Sequence, residues 1–114
     1  MSEHTNFKVI LSEEVDAFLD TLSAKAKNKI FYNIRLVEGG RQDAEIFKKL
    51  GDSDIWEFRT LYAGIKYRLL SFFDRDQRAL IITTHGFVKK TQKTPVKEIE
   101  RAEAIRKEYY KQKQ

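Results

Sequence analysis

Between Ile55 and Thr84 the chain changes its hydrophobic period, and this change limits the fold more than any other feature. Three runs, Ile55–Tyr62, Ile65–Phe73 and Arg78–Thr84, are dense in aromatic and branched residues, the side chains that suit a pleated, half-buried surface. Only Ala63-Gly64 and Asp74-Arg75-Asp76-Gln77 separate them. Connections this short join antiparallel neighbours, because a parallel return needs about a dozen residues or more. The runs therefore predict a three-stranded antiparallel meander, and its apolar face needs a second layer to cover it.

The flanking segments supply that layer. Phe7, Val9 and Leu11 alternate with polar residues and predict a first strand. Ser12 and Ser23 stand where helix caps belong, since a serine oxygen accepts from the free N–H groups of a first turn. Val15, Phe18, Leu19 and Leu22 form the stripe of one helix. Ala26, Ile30, Ile34 and Val37 form that of a second, which Gly39-Gly40 ends. Ile46, Phe47 and Leu50 predict one more helical turn. Thr94 before Pro95 predicts the cap of a final helix with proline first. Val96, Ile99, Ala102, Ile105 and Tyr109 make its buried stripe. No linker or repeat divides the chain, so residues 1–114 are expected to be one α+β domain of order β-α-α-β-β-β-α.

With Ala63-Gly64 as a two-residue hairpin loop, Tyr62 faces Ile65, Leu61 faces Lys66, Arg59 faces Arg68, and Glu57 faces Leu70. Side chains alternate, so Glu57, Arg59, Leu61, Lys66, Arg68 and Leu70 share one face, while Trp56, Phe58, Tyr67 and Leu69 take the face that meets the helices. Like charges directly opposite destabilise a sheet. The arginine pair fits one of two situations: it grips an anion such as phosphate, or Glu57 neutralises it in a surface cluster.

A second cluster, His85-Gly86-Phe87-Val88-Lys89-Lys90-Thr91-Gln92-Lys93, follows the last run. Gly86 permits a sharp turn there that would deliver the lysines to the end of the sheet. His85 titrates near neutrality when unperturbed; it fits either proton transfer or a strand-end hydrogen bond. Residues 1–85 carry 13 Lys+Arg against 13 Asp+Glu, and residues 86–114 carry nine against four, so the net charge of +5 lies in the last quarter. A basic segment of this kind suits a polyanion or is simply a solvated helix face. Tyr109 and Tyr110 either stack on a base or close the helix against the core.

Other chemistries find no footing. The chain has no cysteine, which removes disulfides, zinc fingers and a thiol nucleophile and suits a cytoplasmic setting. One histidine without clustered carboxylates makes a poor metal site, so no metal and no cofactor are expected. There is no phosphate-cradling glycine loop and no zinc-protease signature. No apolar run spans a bilayer and no signal peptide is expected.

Leu50-Gly51, Ile55-Trp56-Glu57-Phe58-Arg59, Lys66-Tyr67-Arg68-Leu69-Leu70 and His85-Gly86-Phe87-x-Lys89-Lys90-Thr91-x-x-Thr94-Pro95, in this order and spacing, resemble the phage-derived, HigB-like branch of the RelE/ParE toxin superfamily. The resemblance covers roughly residues 46–110; before that only the β-α-α layout is shared. It implies a RelE-like fold, with helices packed on a small twisted antiparallel sheet. It implies the toxin of a type II toxin–antitoxin system, an endoribonuclease that cuts mRNA on the ribosome and inhibits translation, and a cognate antitoxin that often carries a helix-turn-helix domain. By position, Arg59, Arg68, Lys89 and Lys90 match the family's phosphate-holding residues, and His85 follows as an acid–base candidate. The C-terminal catalytic tyrosine of some relatives has no match here.

Such an enzyme uses the 2′-hydroxyl of RNA as nucleophile and needs no metal. Arg59 and Arg68 would stabilise charge on the phosphate, Lys89 or Lys90 would protonate the leaving oxygen, and Glu57 or His85 would serve as base. Lys66, Lys93, Lys97 and Arg101 are the expected contacts to the RNA backbone. The alternatives are a non-catalytic RelE-like module that binds RNA or protein, and a structural domain with a solvated basic tail.

Overall fold

The computed structural model describes residues 6–113. Along the chain these form β1 (Lys8–Ile10), α1 (Glu13–Asp20), α2 (Ala24–Glu38), β2 (Phe47–Lys49), β3 (Trp56–Tyr62), β4 (Ile65–Phe73), β5 (Leu80–Lys89) and α3 (Val96–Lys113). The five strands lie side by side in the order β1-β5-β4-β3-β2. The α1–α2 hairpin covers one face of the sheet, where Val15, Leu19, Ile30, Ile34 and Val37 pack on Phe58, Tyr67, Leu69 and Ile81. Helix α3 covers part of the other face, with Ala102 and Tyr110 against Leu70, Phe72 and Ile82.

Local signals set both helix starts of the hairpin. The Ser12 hydroxyl accepts from the Val15 amide at 3.1 Å and Ser23 from that of Ala26 at 3.2 Å. Ser12 also ties α1 to β5, its own amide donating to Thr83 Oγ1 at 2.9 Å. Gly39 caps α2, and Gly40 takes a φ of 95° just beyond it.

Four expectations need correction. The sheet is mixed rather than wholly antiparallel, because β1 pairs parallel with β5; the whole α1–β4 segment serves as the crossover. Ile46 and Phe47 do close a turn on the Asp43 carbonyl, but the chain then straightens into an additional strand, β2, on the edge of β3. There Phe47 lies 4.9 Å from the Trp56 ring and 4.4 Å from that of Phe58. Strand β5 runs through Gly86 to Lys89 without the expected sharp turn. Leu69 pairs with Gly86 and Ser71 with Thr83, so Leu70 faces both Thr84 and His85, a β-bulge. Gly86 is required by close packing instead: a Cβ there would stand 2.4 Å from Phe18 and 2.7 Å from Leu69. In α3, Val96 is exposed and the buried stripe ends on Tyr110.

Candidate active site

The loop between β3 and β4 decides the site. Ala63 and Gly64 both have positive φ, 51° and 78°, the geometry of the two-residue turn whose twist matches paired strands. The register follows, with Arg59 paired to Arg68, Glu57 to Leu70 and Leu61 to Lys66. Strand β5 adds Lys89 beside Lys66 and Phe87 beside Arg68. On the outer side β2 sets Lys48 opposite Glu57. Asn33 of α2 pins β3 from behind, donating to the Arg59 carbonyl at 3.2 Å and to Thr60 Oγ1 at 3.0 Å.

Two cations side by side are held by one buried carboxylate. Glu57 Oε1 lies 3.6 Å from Arg59 Nε and 3.5 Å from Arg68 Nε. Its Oε2 accepts from the Thr94 hydroxyl. Arg68 Nη1 donates to the Tyr67 carbonyl at 3.0 Å, and Arg59 Nη1 to the Ala44 carbonyl at 3.2 Å. The buried Nε of each arginine has no hydrogen-bond partner among the described residues. These N–H groups thus meet Glu57 as a diffuse charge contact rather than a tight fork. Burial pulls the Arg68 pKa below its ordinary value, with Glu57 opposing and Arg59 adding to the shift.

Beside this triad opens a cleft of about 620 Å³, lined by Lys48, Lys49, Glu57, Arg59, Lys89, Lys93 and Thr94 among others. A smaller hollow of about 150 Å³ joins Arg59 to Arg68 and Lys66, with Glu45 at its rim. Lys89 is half-buried and lines the larger cleft. Burial first, then Arg68, lowers its pKa; Glu57 works against the shift and Arg59 and Lys66 with it. A lysine that gives up its proton more readily than usual is suited to moving one.

The structure brings together Glu57, Arg59, Arg68, Lys66, Lys89 and Lys93. Lys90 is exposed and lines a neighbouring hollow with Lys66, Lys89 and Thr91, outside the cleft that holds Glu57 and Arg59. His85 is 2% exposed and lies outside the cleft. Its Nε2 is 3.0 Å from Glu98 Oε1 on α3, its Nδ1 is 3.0 Å from Thr84 Oγ1, and its ring stacks on Phe87. Leu70 of β4 stands between it and Glu57. Burial depresses the His85 pKa, with Glu98 opposing, so the ring loses its proton at a lower pH than usual. Lys97 is exposed on the first turn of α3, and Arg101 is paired with Glu14 of α1. Tyr110 is buried and the Tyr109 hydroxyl donates to Asp74 at 2.6 Å, so both close α3 against the sheet.

Sequence reasoning passed over Lys48, Lys49 and Thr94. Lys48 and Lys49 sit in a three-residue strand, too short to show a period. Thr94 resembles a helix cap, yet its hydroxyl serves Glu57 and the Pro95 carbonyl takes the first helical amides, from Glu98 and Ile99. Among the described residues, no three His, Cys, Asp or Glu side chains converge as a metal site requires, and no helix is long and apolar enough to cross a membrane.

Comparison with known proteins bears on the family and the fold. Residues 17–107 match the family described as phage derived protein Gp49-like. The fold superposes on a doubly substituted form of the E. coli toxin RelE in the free state, with a TM-score of 0.54, 15% sequence identity, and coverage of 76% of this chain and 85% of that one. Phosphoglycolate phosphatase 2 of Arabidopsis thaliana is 29% identical over 85 residues; these make up 72% of this chain and 28% of the plant protein. The chain thus spans little more than a quarter of that relative's length. With its five-stranded RelE-like architecture and a match over most of its length, the chain belongs to the family of phage-derived Gp49-like proteins.

Proposed function

We propose that this protein is the toxin of a type II toxin–antitoxin pair, a HigB-like endoribonuclease that cuts mRNA on the ribosome in the cytoplasm. The observation that carries the reading is the charge cluster of Arg59 and Arg68 side by side on the sheet, held by buried Glu57, with Lys89 at the edge. A pair of guanidiniums in fixed positions can grip the oxygens of a phosphodiester and stabilise the charge that builds on them during displacement. The RNA supplies its own nucleophile. The 2′-oxygen bonds to phosphorus as the bond to the 5′-oxygen breaks, which leaves a 2′,3′-cyclic phosphate and a free 5′-hydroxyl. Lys89 delivers the proton to the departing 5′-oxygen, and the 2′-hydroxyl proton passes to Glu57, the carboxylate beside the arginines. Lys93, Lys66 and Lys48 follow the RNA backbone through charge alone. The expected partner is a cognate antitoxin with a helix-turn-helix domain that covers this basic face.

The test is to incubate the protein with ribosomes programmed with mRNA and to sequence the ends. Fragments ending in cyclic phosphate are expected, and Arg68→Ala with its fold intact should cut ~10²–10³-fold more slowly. Intact mRNA would overturn the enzymatic reading. One observation favours a second reading, a non-catalytic RNA- or protein-binding module: Glu57 already serves two arginines and Thr94. Retarded RNA without new ends would select it.

A further inference from the structure

A second cleft, of about 570 Å³, opens on the opposite side of strand β2. Phe7, Phe47, Trp56 and Phe73 line it. All four are half-buried rather than enclosed. Phe73 meets Phe7, Phe47 and Trp56 edge-on at 5.6, 6.0 and 5.4 Å, so the rings form a braced aromatic wall rather than loose side chains. At the rim stand Arg41, Lys48 and Lys49, with one carboxylate, Asp43, whose Oδ1 accepts from the Glu45 amide at 2.9 Å.

Lys48 and Lys49 line both this cleft and the basic cleft that holds Glu57 and Arg59. Lys48 pairs with Glu57 and Lys49 with Trp56, and consecutive side chains of a strand point to opposite faces. The two lysines therefore straddle the sheet edge, one toward each cleft. A basic ridge between a phosphate-binding cleft and an aromatic one matches single-stranded nucleic acid, in which charged backbone alternates with flat bases.

We infer that the aromatic cleft behind β2 is a nucleobase subsite, in which a base of the bound RNA strand, one that flanks the cleaved bond, stacks while Lys48 and Lys49 carry its backbone over the sheet edge. The inference rests on the RNA-cleaving reading for the identity of the strand, but its readout does not require cleavage. Stacking on rings tolerates any base, because every base has a π-face. The cleft would therefore add affinity without a strong sequence preference.

Trp56 is the only tryptophan in the chain, so its fluorescence reports on this cleft. The probe is a short 2′-O-methyl oligoribonucleotide, which lacks the attacking hydroxyl, titrated into the full chain. Saturable quenching of Trp56 is expected. A set of oligonucleotides with a single abasic residue, stepped along the strand, keeps every phosphate. One position in the set should lose most of the quenching and bind about tenfold more weakly, the scale of one lost stacking contact. Arg41→Glu, a change at the exposed rim, should weaken the intact oligonucleotide more than the abasic one that has lost its stacked base. Binding without a response from Trp56, or a response equal for all abasic positions, would overturn the subsite and leave the catalytic reading in place. Quenching with the expected abasic minimum but no cleavage of natural mRNA would retain the subsite and remove the catalysis. A cleft silent to RNA but occluded when a cognate antitoxin is added would assign it to a protein partner and overturn the inference.

Discussion

The β3–β4 register sets Arg59 beside Arg68, Glu57 lies against both, and the three side chains behave as one unit. Glu57 and Arg68 are nearly fully buried, so removing the carboxylate leaves guanidinium charge without compensation. Glu57→Gln is expected to destabilise the fold by about 3 kcal/mol, the lower end for breaking a buried ion pair, measured by urea unfolding. A loss below ~0.5 kcal/mol would show that solvent already screens the arginines. Lys89 gives a different readout. As a proton donor it must be protonated, so cleavage falls as pH rises through its pKa, and burial beside Arg68 moves that pKa below the usual lysine value. The alkaline limb of the pH–rate profile should therefore lie below the ordinary lysine range of about 10.4. In Lys89→Arg, whose side chain stays charged, that limb should vanish or move upward. An unmoved limb would place the donor elsewhere. Lys89 was legible in the sequence as one of a pair, Lys89-Lys90. Choosing between them required knowing that β5 continues to Lys89, which puts that residue beside Lys66 and leaves Lys90 outside.

Strand β5 and helix α3 are each fixed by a single local device. In β5 it is Gly86, which lets Phe18 of α1 approach the backbone. Gly86→Ala forces a methyl group against the Phe18 ring and should cost about 1–3 kcal/mol, read as a lowered midpoint in thermal unfolding. Phe18→Leu combined with it should recover part of that loss, since the contact is with a side chain. In α3 the device is Asp74, fully buried at the end of β4. It accepts from Lys113 Nζ at 2.9 Å, from the Tyr109 hydroxyl at 2.6 Å, and from the amides of Asp76 and Gln77. The Lys113 and Tyr109 hydrogen bonds hold the Asp74 carboxyl well below the usual carboxylate range, against the opposing effect of burial. The Tyr109 phenol is pushed up to about 12, by burial first and by Asp74 second. A depressed carboxylate pKa contributes stability that is complete above the unfolded value, near pH ~4, and fades as pH falls below it. Asp74→Asn should therefore lower stability at neutral pH and flatten the decline that sets in below about pH 4. Equal acid sensitivity in both proteins would assign the decline to other carboxylates.

Over the whole molecule the two faces of the sheet are covered differently. The α1–α2 hairpin closes an apolar face, while the other is shared between α3 and the basic clefts. Binding to RNA on such a surface is chiefly release of counterions, so log K should fall linearly with log salt, by about 0.7 for each phosphate neutralised on a single strand. Lys93→Ala should flatten that slope by roughly one phosphate and weaken all sequences alike. A slope near zero would mean that the basic cleft does not hold a backbone.

Short-range chemistry determined much of this protein directly from its residues. Ser12 and Ser23 cap their helices, and Ala63-Gly64 turns so tightly that the pairing of Arg59 with Arg68 follows from residue number alone. Those signals act over a few residues, where local propensity decides. The rest depends on partners distant in the chain. Phe47–Lys49 becomes a strand because the edge of β3 needs pairing and Phe47 finds Trp56 and Phe58. Thr94 serves Glu57 across 37 residues, and β1 pairs parallel with β5. His85 carries the residue type of a catalytic base, but the bulge beside Leu70 and the approach of Glu98 bury it under α3. Which histidines, lysines and threonines reach the cleft is settled by how the sheet and α3 pack together, because burial and charge pairing are properties of the assembled core rather than of the chain.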